Sequence, residues 1–178
     1  MSTNIEFEGK VLEINEKDIL KKLGEQKAEY IGEYLQRRYV FNTIPFNENR
    51  WVRLRSNGKN ATLAVKEIKD DTVNGTSEWE IEVSNFEETL KILKKIGIKP
   101  KGYQENRRIE YSMDSCQITL DFWPKIPAYL EIEGKNEEQV YKCAKKLGID
   151  KKEITGMNTT KIYKKYGIDL DKIKDLRF

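Results

Sequence analysis

Three segments of this chain place two glutamates two residues apart with an apolar residue between them: Glu6-Phe7-Glu8, Glu80-Ile81-Glu82 and Glu131-Ile132-Glu133. Glutamate is disfavoured in strands. On a strand, residues two apart share a face, so each pair sets two carboxylates side by side. Carboxylates that close repel unless a cation lies between them, and hard divalent ions such as Mg²⁺ or Mn²⁺ take oxygen ligands of this kind. Metal binding is therefore the first chemistry the residues suggest. The cations alternate in the same way, with Arg53 and Arg55 flanking Leu54, then Lys66, then Arg108. Arginine's fixed fork suits phosphate and carboxylate oxygens. With no histidine among 178 residues, every mechanism that needs imidazole is excluded.

The elements that must position these groups are legible in the punctuation. Asn15-Glu16-Lys17-Asp18 leads to Lys21-Lys22-Leu23-Gly24, and Ser84-Asn85-Phe86-Glu87-Glu88 leads to Lys94-Lys95-Ile96-Gly97. Asn136-Glu137-Glu138-Gln139 leads in turn to Lys145-Lys146-Leu147-Gly148. Each block reads as strand, capped helix and stop: Asn or Ser at the cap, acids in the first turn, lysines in the last, glycine for a left-handed exit. Asn136 and Gln139 have capping-box spacing. The lysine pairs are helix ends and not nucleic-acid patches. Between the blocks, Trp51–Arg55 and Thr62–Lys66 alternate around Asn57-Gly58, a strong hairpin signal. Arg108–Met113 and Gln117–Phe122 form a second hairpin, residues 30–43 a further strand or mixed segment, and Thr159–Phe178 a helix followed by a shorter one.

Every strand sorts its residues alike. Phe7, Leu54, Leu63, Val65, Ile81, Ile118, Leu120 and Ile132 share one face, whereas Glu6, Glu8, Lys10, Arg53, Arg55, Lys66, Glu78, Glu80, Glu82, Asp121, Glu131 and Glu133 share the other. An ordinary sheet with its charges in water explains this alternation. A barrel with the charged face inward and helices over its apolar outside explains it too. Such an interior would hold metal on carboxylates and phosphate on arginine and lysine at once. The pattern alone does not separate the two.

Composition narrows the classes. The formal net charge is +3 with 35% charged residues, a balance unlike the basic excess of nucleic-acid or membrane-surface binders. The length suits one domain over residues 1–178, burying roughly 70% of its unfolded surface. Cys116 and Cys143 make no C-x-x-C pair and read as reduced, buried thiols. The Met-Ser-Thr-Asn start lacks a signal sequence and no apolar run has membrane length, so the expected location is cytoplasmic.

Glu6-Phe7-Glu8-Gly9-Lys10 is an intact E-x-E-x-K and resembles the hallmark of the CYTH superfamily, the triphosphate tunnel metalloenzymes. The resemblance continues in order. Arg53-Leu54-Arg55 is similar to the family's R-x-R, Lys66 to its next-strand lysine and Glu80-Ile81-Glu82 to its central E-x-E. Arg108 stands three residues before Tyr111 as in the family; Asp121 and Glu131-Ile132-Glu133 match the late aspartate and final E-x-E. Asn106 stands where the family often carries the lysine of K-x-R. The resemblance implies an α+β, β-rich fold: a closed eight-stranded antiparallel barrel, a tunnel with a charged interior, flanked by short helices. It implies Lys10, Arg53, Arg55, Lys66 and Arg108 as phosphate-binding residues. Glu6, Glu8, Glu80, Glu82, Asp121, Glu131 and Glu133 are the implied ligands of Mg²⁺ or Mn²⁺, with Glu6, Glu8, Lys10, Arg53, Arg55 and Lys66 carrying catalysis.

The expected function is metal-dependent hydrolysis of inorganic tripolyphosphate, a nucleoside triphosphate or thiamine triphosphate. The alternatives are class IV adenylyl cyclisation of ATP to cyclic AMP and pyrophosphate, and non-catalytic polyphosphate or nucleotide binding. The partner is a small-molecule triphosphate, with no nucleic acid or membrane; a homodimer is compatible with the sequence. Trp51, Tyr163 and Tyr166 read as packing residues, Trp123–Pro127 as a rigid turn, and Glu78 and Glu110 as solvated or salt-bridging.

Overall fold

The computed structural model describes residues 4–178; Met1, Ser2 and Thr3, part of the start read for a signal sequence, lie outside the described residues. In chain order the elements are β1 (Ile5–Val11), α1 (Glu16–Glu25), β2 (Glu29–Asn42), β3 (Arg50–Ser56), β4 (Ala61–Ile68) and β5 (Thr76–Val83). Then follow α2 (Phe86–Lys95), β6 (Pro100–Met113), β7 (Cys116–Phe122), β8 (Tyr129–Gly134), α3 (Glu137–Lys146), α4 (Thr159–Lys165) and β9 (Asp175–Leu176). The strands pair in the order β2-β3-β4-β5-β1-β8-β7-β6, and β6 pairs back with β2. Eight antiparallel strands thus close into a barrel. The two-residue β9 adds a parallel rung outside it, at Tyr103 and Gln104 of β6.

Turn chemistry sets the registers. Asp114 and Ser115 both have positive φ, 51° and 63°, the backbone of a two-residue hairpin that follows the twist of its strands. Asn57 caps the β3–β4 loop by accepting from the backbone N–H groups of Lys59 and Asn60, while Gly58 takes φ 88°. The stretch expected as a strand or mixed segment is one long strand, β2, paired with β6 along its length and irregular only near Tyr30/Gly32 and Val40/Phe41.

Closure resolves which face is which. Leu120 and Leu130 are fully buried beneath α1 and α3 with Ile118, Ile132, Leu23, Val140 and Leu147, in a core outside the barrel wall. α2 covers Phe41 and Leu54 with Phe86, Leu90 and Leu93. The charged face therefore points inward. Helix stripes bury the apolar wall at about 1.5–3 kcal/mol per fully buried large side chain. Trp79 and Ile81 on β5 escape this cover and are exposed.

Asn15, Asn85 and Asn136 cap α1, α2 and α3, each accepting from the backbone N–H three residues on. The capping-box spacing at Asn136 is realised differently, since Gln139 Oε1 accepts from Lys135 N–H, one residue before the cap. Gly97 and Gly148 exit their helices with φ of 92° and 68° as expected, but Gly24 lies inside α1 and Lys27 takes the left-handed conformation instead, at φ 54°. Cys116 and Cys143 are free and buried with their sulfurs 2.7 Å apart; burial raises both thiols above the ordinary range. No helix among the described residues is long and apolar enough to cross a membrane.

Candidate functional site

A cavity of about 500 Å³ runs inside the barrel. Its wall includes Glu6, Glu8, Lys10, Arg53, Arg55, Lys66, Glu80, Arg108, Glu131 and Glu133 from the sequence-predicted set. Register explains why. In β1–β8 Lys10 faces Glu131 and Glu8 faces Glu133, whereas Lys66 faces Glu78 and Ala64 faces Glu80 in β4–β5. With a period of two, every second residue of each strand meets in the same interior.

The charges interlock. Lys10 Nζ lies 2.9 Å from Glu8 and 3.2 Å from Glu131; Lys66 Nζ lies 2.8 Å from Glu6 and 3.4 Å from Glu78. Arg53 reaches Glu78 at 2.7 Å and Glu80 at 3.0 Å, and Arg55 reaches Glu80 at 3.3 Å. Burial opposes the charge on Lys10, but Glu8 and Glu131 outweigh it and hold the ammonium above its ordinary value. Glu131 is held below the usual carboxylate range because Lys10 and Arg108 outweigh its burial. Glu6 differs. Burial, then a hydrogen bond shared with Glu78, pushes its carboxyl up to about 9, while Arg53 and that same hydrogen bond overcome burial to bring Glu78 down to about 2.

Two expected placements change. Glu82 does not line the cavity; it is exposed beside a shallow recess with Ser56 and Lys59. The inward pair of β5 is Glu78 with Glu80, because the Lys66–Glu78 register sets the frame and Glu82 falls at the strand's outer end. Asp121 is inward but fully buried behind the wall. It accepts from Arg108 Nε at 2.9 Å, Arg108 NH2 at 2.7 Å and Asn106 Nδ2 at 2.8 Å, so its oxygens are committed to orienting others. Glu78, read as solvated or salt-bridging, is salt-bridged and lines the wall.

Arg38 of β2 is a cavity residue that sequence reasoning missed. Arg37 and Arg38 are adjacent, and alternation cannot say which faces inward until the strand's register is known. Register settles it: Arg38 stands opposite Arg55 on β3 and Gln104 on β6. Arg37 points out to Glu87 instead.

A model of the CYTH domain family matches residues 4–166. The chain belongs to the CYTH domain family. No curated protein sequence gives a significant match. Among solved structures, the PH1012 protein from Pyrococcus horikoshii OT3 superposes with TM-score 0.75 at 24% identity, over 88% of this chain and 98% of that one. A candidate adenylate cyclase from Vibrio parahaemolyticus gives 0.78 at 14%, over 92% and 99%. The candidate adenylyl cyclase HpAC1 from Hippeastrum, described as having a dominant triphosphatase activity, gives 0.63 at 15%, over 94% and 99%. At these identities the likeness is one of fold.

The CYTH tunnel of this chain can be tested for a divalent cation on its own donors. Glu6 Oε2 is buried without a hydrogen bond although Lys66 stands near. Glu133 is raised by burial and by Glu131 and Glu8, and has no ion pair of its own among the described residues. Crowded, under-satisfied carboxylate oxygens fit a hard cation. Among the described residues, no three acidic side chains converge on one point as a finished ligand set. Lys10 and Lys66 occupy the space between them.

Proposed function

We propose that this CYTH protein, with residues 1–178 acting as one unit, hydrolyses a triphosphate substrate in its tunnel with the help of a divalent cation. The observation that carries the reading is the shared interior of one barrel, where Lys10, Arg53, Arg55, Lys66 and Arg108 face Glu6, Glu8, Glu131 and Glu133 across a cavity of about 500 Å³. Phosphoryl transfer needs in-line positioning and charge neutralisation more than a covalent nucleophile, so a chain without histidine can perform it. The HpAC1 likeness, with its dominant triphosphatase activity, supports the hydrolytic choice.

Glu6, Glu8, Glu131 and Glu133 would hold Mg²⁺ or Mn²⁺. The bound cation would supply charge neutralisation at phosphate oxygens and a more acidic water. The chain's own residues do the rest. Arg53 and Arg55, anchored from behind by Glu78 and Glu80, present guanidinium edges to phosphate oxygens. Arg108 is fixed in orientation by its two bonds to Asp121. Lys10 and Lys66 exchange carboxylate partners for phosphate when substrate enters. Water attacks the terminal phosphorus, its bridging P–O bond breaks, and orthophosphate leaves with the shortened phosphate chain. The proton that water releases passes to solvent, because metal-free Glu6, raised to about 9, already carries one.

The test offers tripolyphosphate and ATP separately with Mg²⁺ or Mn²⁺ and identifies the products. Orthophosphate from tripolyphosphate without cyclic AMP from ATP is expected; cyclic AMP with equal pyrophosphate would replace hydrolysis by cyclisation. Arg53→Ala should lower turnover by the equivalent of ~2.7–4 kcal/mol, as loss of an oxyanion donor does. Unchanged turnover would remove Arg53 from the site. Arg53 is itself buried and doubly ion-paired, so the variant should also lose stability, about 3 kcal/mol at most because Lys66 stays beside Glu78.

A further inference from the structure

Among the described residues, Arg38 is the cation of the tunnel that has no acid. Its residue exposure is 7%, and its guanidinium lies 4.5 Å above the Trp123 ring. NH2 donates to Asn106 Oδ1 at 2.5 Å and only marginally to Gln36 Oε1 at 3.5 Å, while Nε is buried with no acceptor at all. Lys10, Arg53, Arg55, Lys66 and Arg108 each touch a carboxylate; Arg38 touches two neutral amides. Burial, then the charges of Arg53, Arg55 and Arg108, push its guanidinium down to about 9. Arg55 is under the same strain, pushed down to about 10 by Arg53 and burial. A guanidinium does not give up its proton in proteins. The remaining way to relieve a buried, uncompensated cation is an anion from outside the chain.

The hydrogen-bond pattern shows how the group is held for that purpose. Asn106 spans from Arg38 to Asp121, accepting from the arginine and donating to the aspartate. Asp121 in turn fixes Arg108. One buried chain, Arg38–Asn106–Asp121–Arg108, therefore orients two guanidinium groups that line the same cavity. An acid at position 106 would neutralise Arg38 and a lysine would repel it. The neutral amide fixes the side chain and leaves its charge free.

We infer that Arg38, braced by Asn106 and Trp123, is an anion-contacting residue of the tunnel that works with Arg55 to bind phosphate oxygens of the substrate directly, independently of the metal. The inference rests on the triphosphate reading of the site and deepens it: the substrate must bring enough negative charge to satisfy one more arginine than the ion-paired set contains.

The experiment measures binding of inorganic tripolyphosphate by calorimetry in the presence of EDTA, with melting temperatures recorded in parallel. The proteins are wild type, Arg38→Met, Arg38→Lys and, as a control, Arg53→Ala. Methionine keeps the stem over Trp123 and removes the charge. Arg38→Met should bind about 10- to 100-fold more weakly, Arg38→Lys should recover much of the loss, and ligand-free Arg38→Met should melt no lower than wild type because an uncompensated cation has gone. Binding by Arg38→Met within about twofold of wild type, with Arg53→Ala weakened, would overturn the role of Arg38 and leave the tunnel reading standing. Failure of wild type to bind tripolyphosphate in EDTA would overturn the inference, and failure with Mg²⁺ or Mn²⁺ as well would overturn both. A large drop in ligand-free melting temperature for Arg38→Met, with no recovery in Arg38→Lys, would make Arg38 a structural group and equally overturn the inference.

Discussion

A proton held between Glu6 and Glu78 is the most consequential detail at the scale of single residues. Both side chains are largely buried, and Lys66 and Arg53 supply too little charge at Glu6 to keep both ionised. With the Glu6 carboxyl raised to about 9, the folded protein keeps a proton that the unfolded chain has lost. Native protein therefore binds more protons than unfolded protein between about pH 4.5 and 9, and stability falls as pH rises across that window. Glu78, lowered to about 2, acts oppositely: its contribution is present above its unfolded value and is lost as pH falls toward 2. In metal-free protein we expect Glu6→Gln, which mimics the protonated form, to flatten the decline in melting temperature between pH 5 and 9. A profile parallel to wild type would place the proton elsewhere. The Glu6 and Glu8 positions were readable from E-x-E-x-K, but the role of Glu78 was not. Glu78, Glu80 and Glu82 share one face of β5, and only the Lys66 pairing shows which two lie inside.

The elements carry a similar lesson with a sharper experimental contrast. By sequence, three helices end in lysines followed by Leu-Gly or Ile-Gly, and the three glycines look equivalent. Gly97 needs its glycine, because φ 92° is strained for any residue with a Cβ. Gly24 does not: it is helical, and a Cβ there would meet nothing within 4 Å. α1 runs on because Glu25 and Gln26 continue it, leaving Lys27 to make the left-handed turn into β2. Gly24→Ala should accordingly stabilise the protein by about 0.5–1 kcal/mol, and Gly97→Ala should destabilise it by about 1 kcal/mol or more. Urea midpoints of the two variants would show it; shifts of the same sign would contradict the assignment of these helix ends. Hairpins and caps were legible because Asn-Gly and Asn-x-x-Glu act locally. The length of β2 was not, since it is imposed by a partner strand, β6, whose paired residues lie 59 to 83 positions away in the chain.

For the whole molecule, the barrel's closure and its C-terminal segment decide what the tunnel can do. The alternating faces allowed either an open sheet or a closed barrel, and the β2–β6 pairing is the contact that chooses, turning a solvated face into an enclosed site. The family match ends at residue 166, yet the chain beyond it is packed into the same body. Leu170 and Leu176 are 4% and 1% exposed and share a cluster with Trp123, Tyr129, Ile162 and Tyr163, while β9 pairs with β6. Tyr163 also donates from its hydroxyl to Pro124 O at 2.7 Å, fixing the turn that follows Trp123. The Trp123 ring is the surface beneath Arg38, so the last residues support one cavity wall from behind. Removal of Gly167–Phe178 should expose Trp123, red-shift its fluorescence and lower the melting temperature. It should also weaken metal-free tripolyphosphate binding in wild type more than in Arg38→Met, because the arginine loses its platform only where it exists. Equal weakening in both backgrounds would mean that the segment stabilises the barrel without passing through Arg38, and that the tunnel wall at Trp123 stands without it.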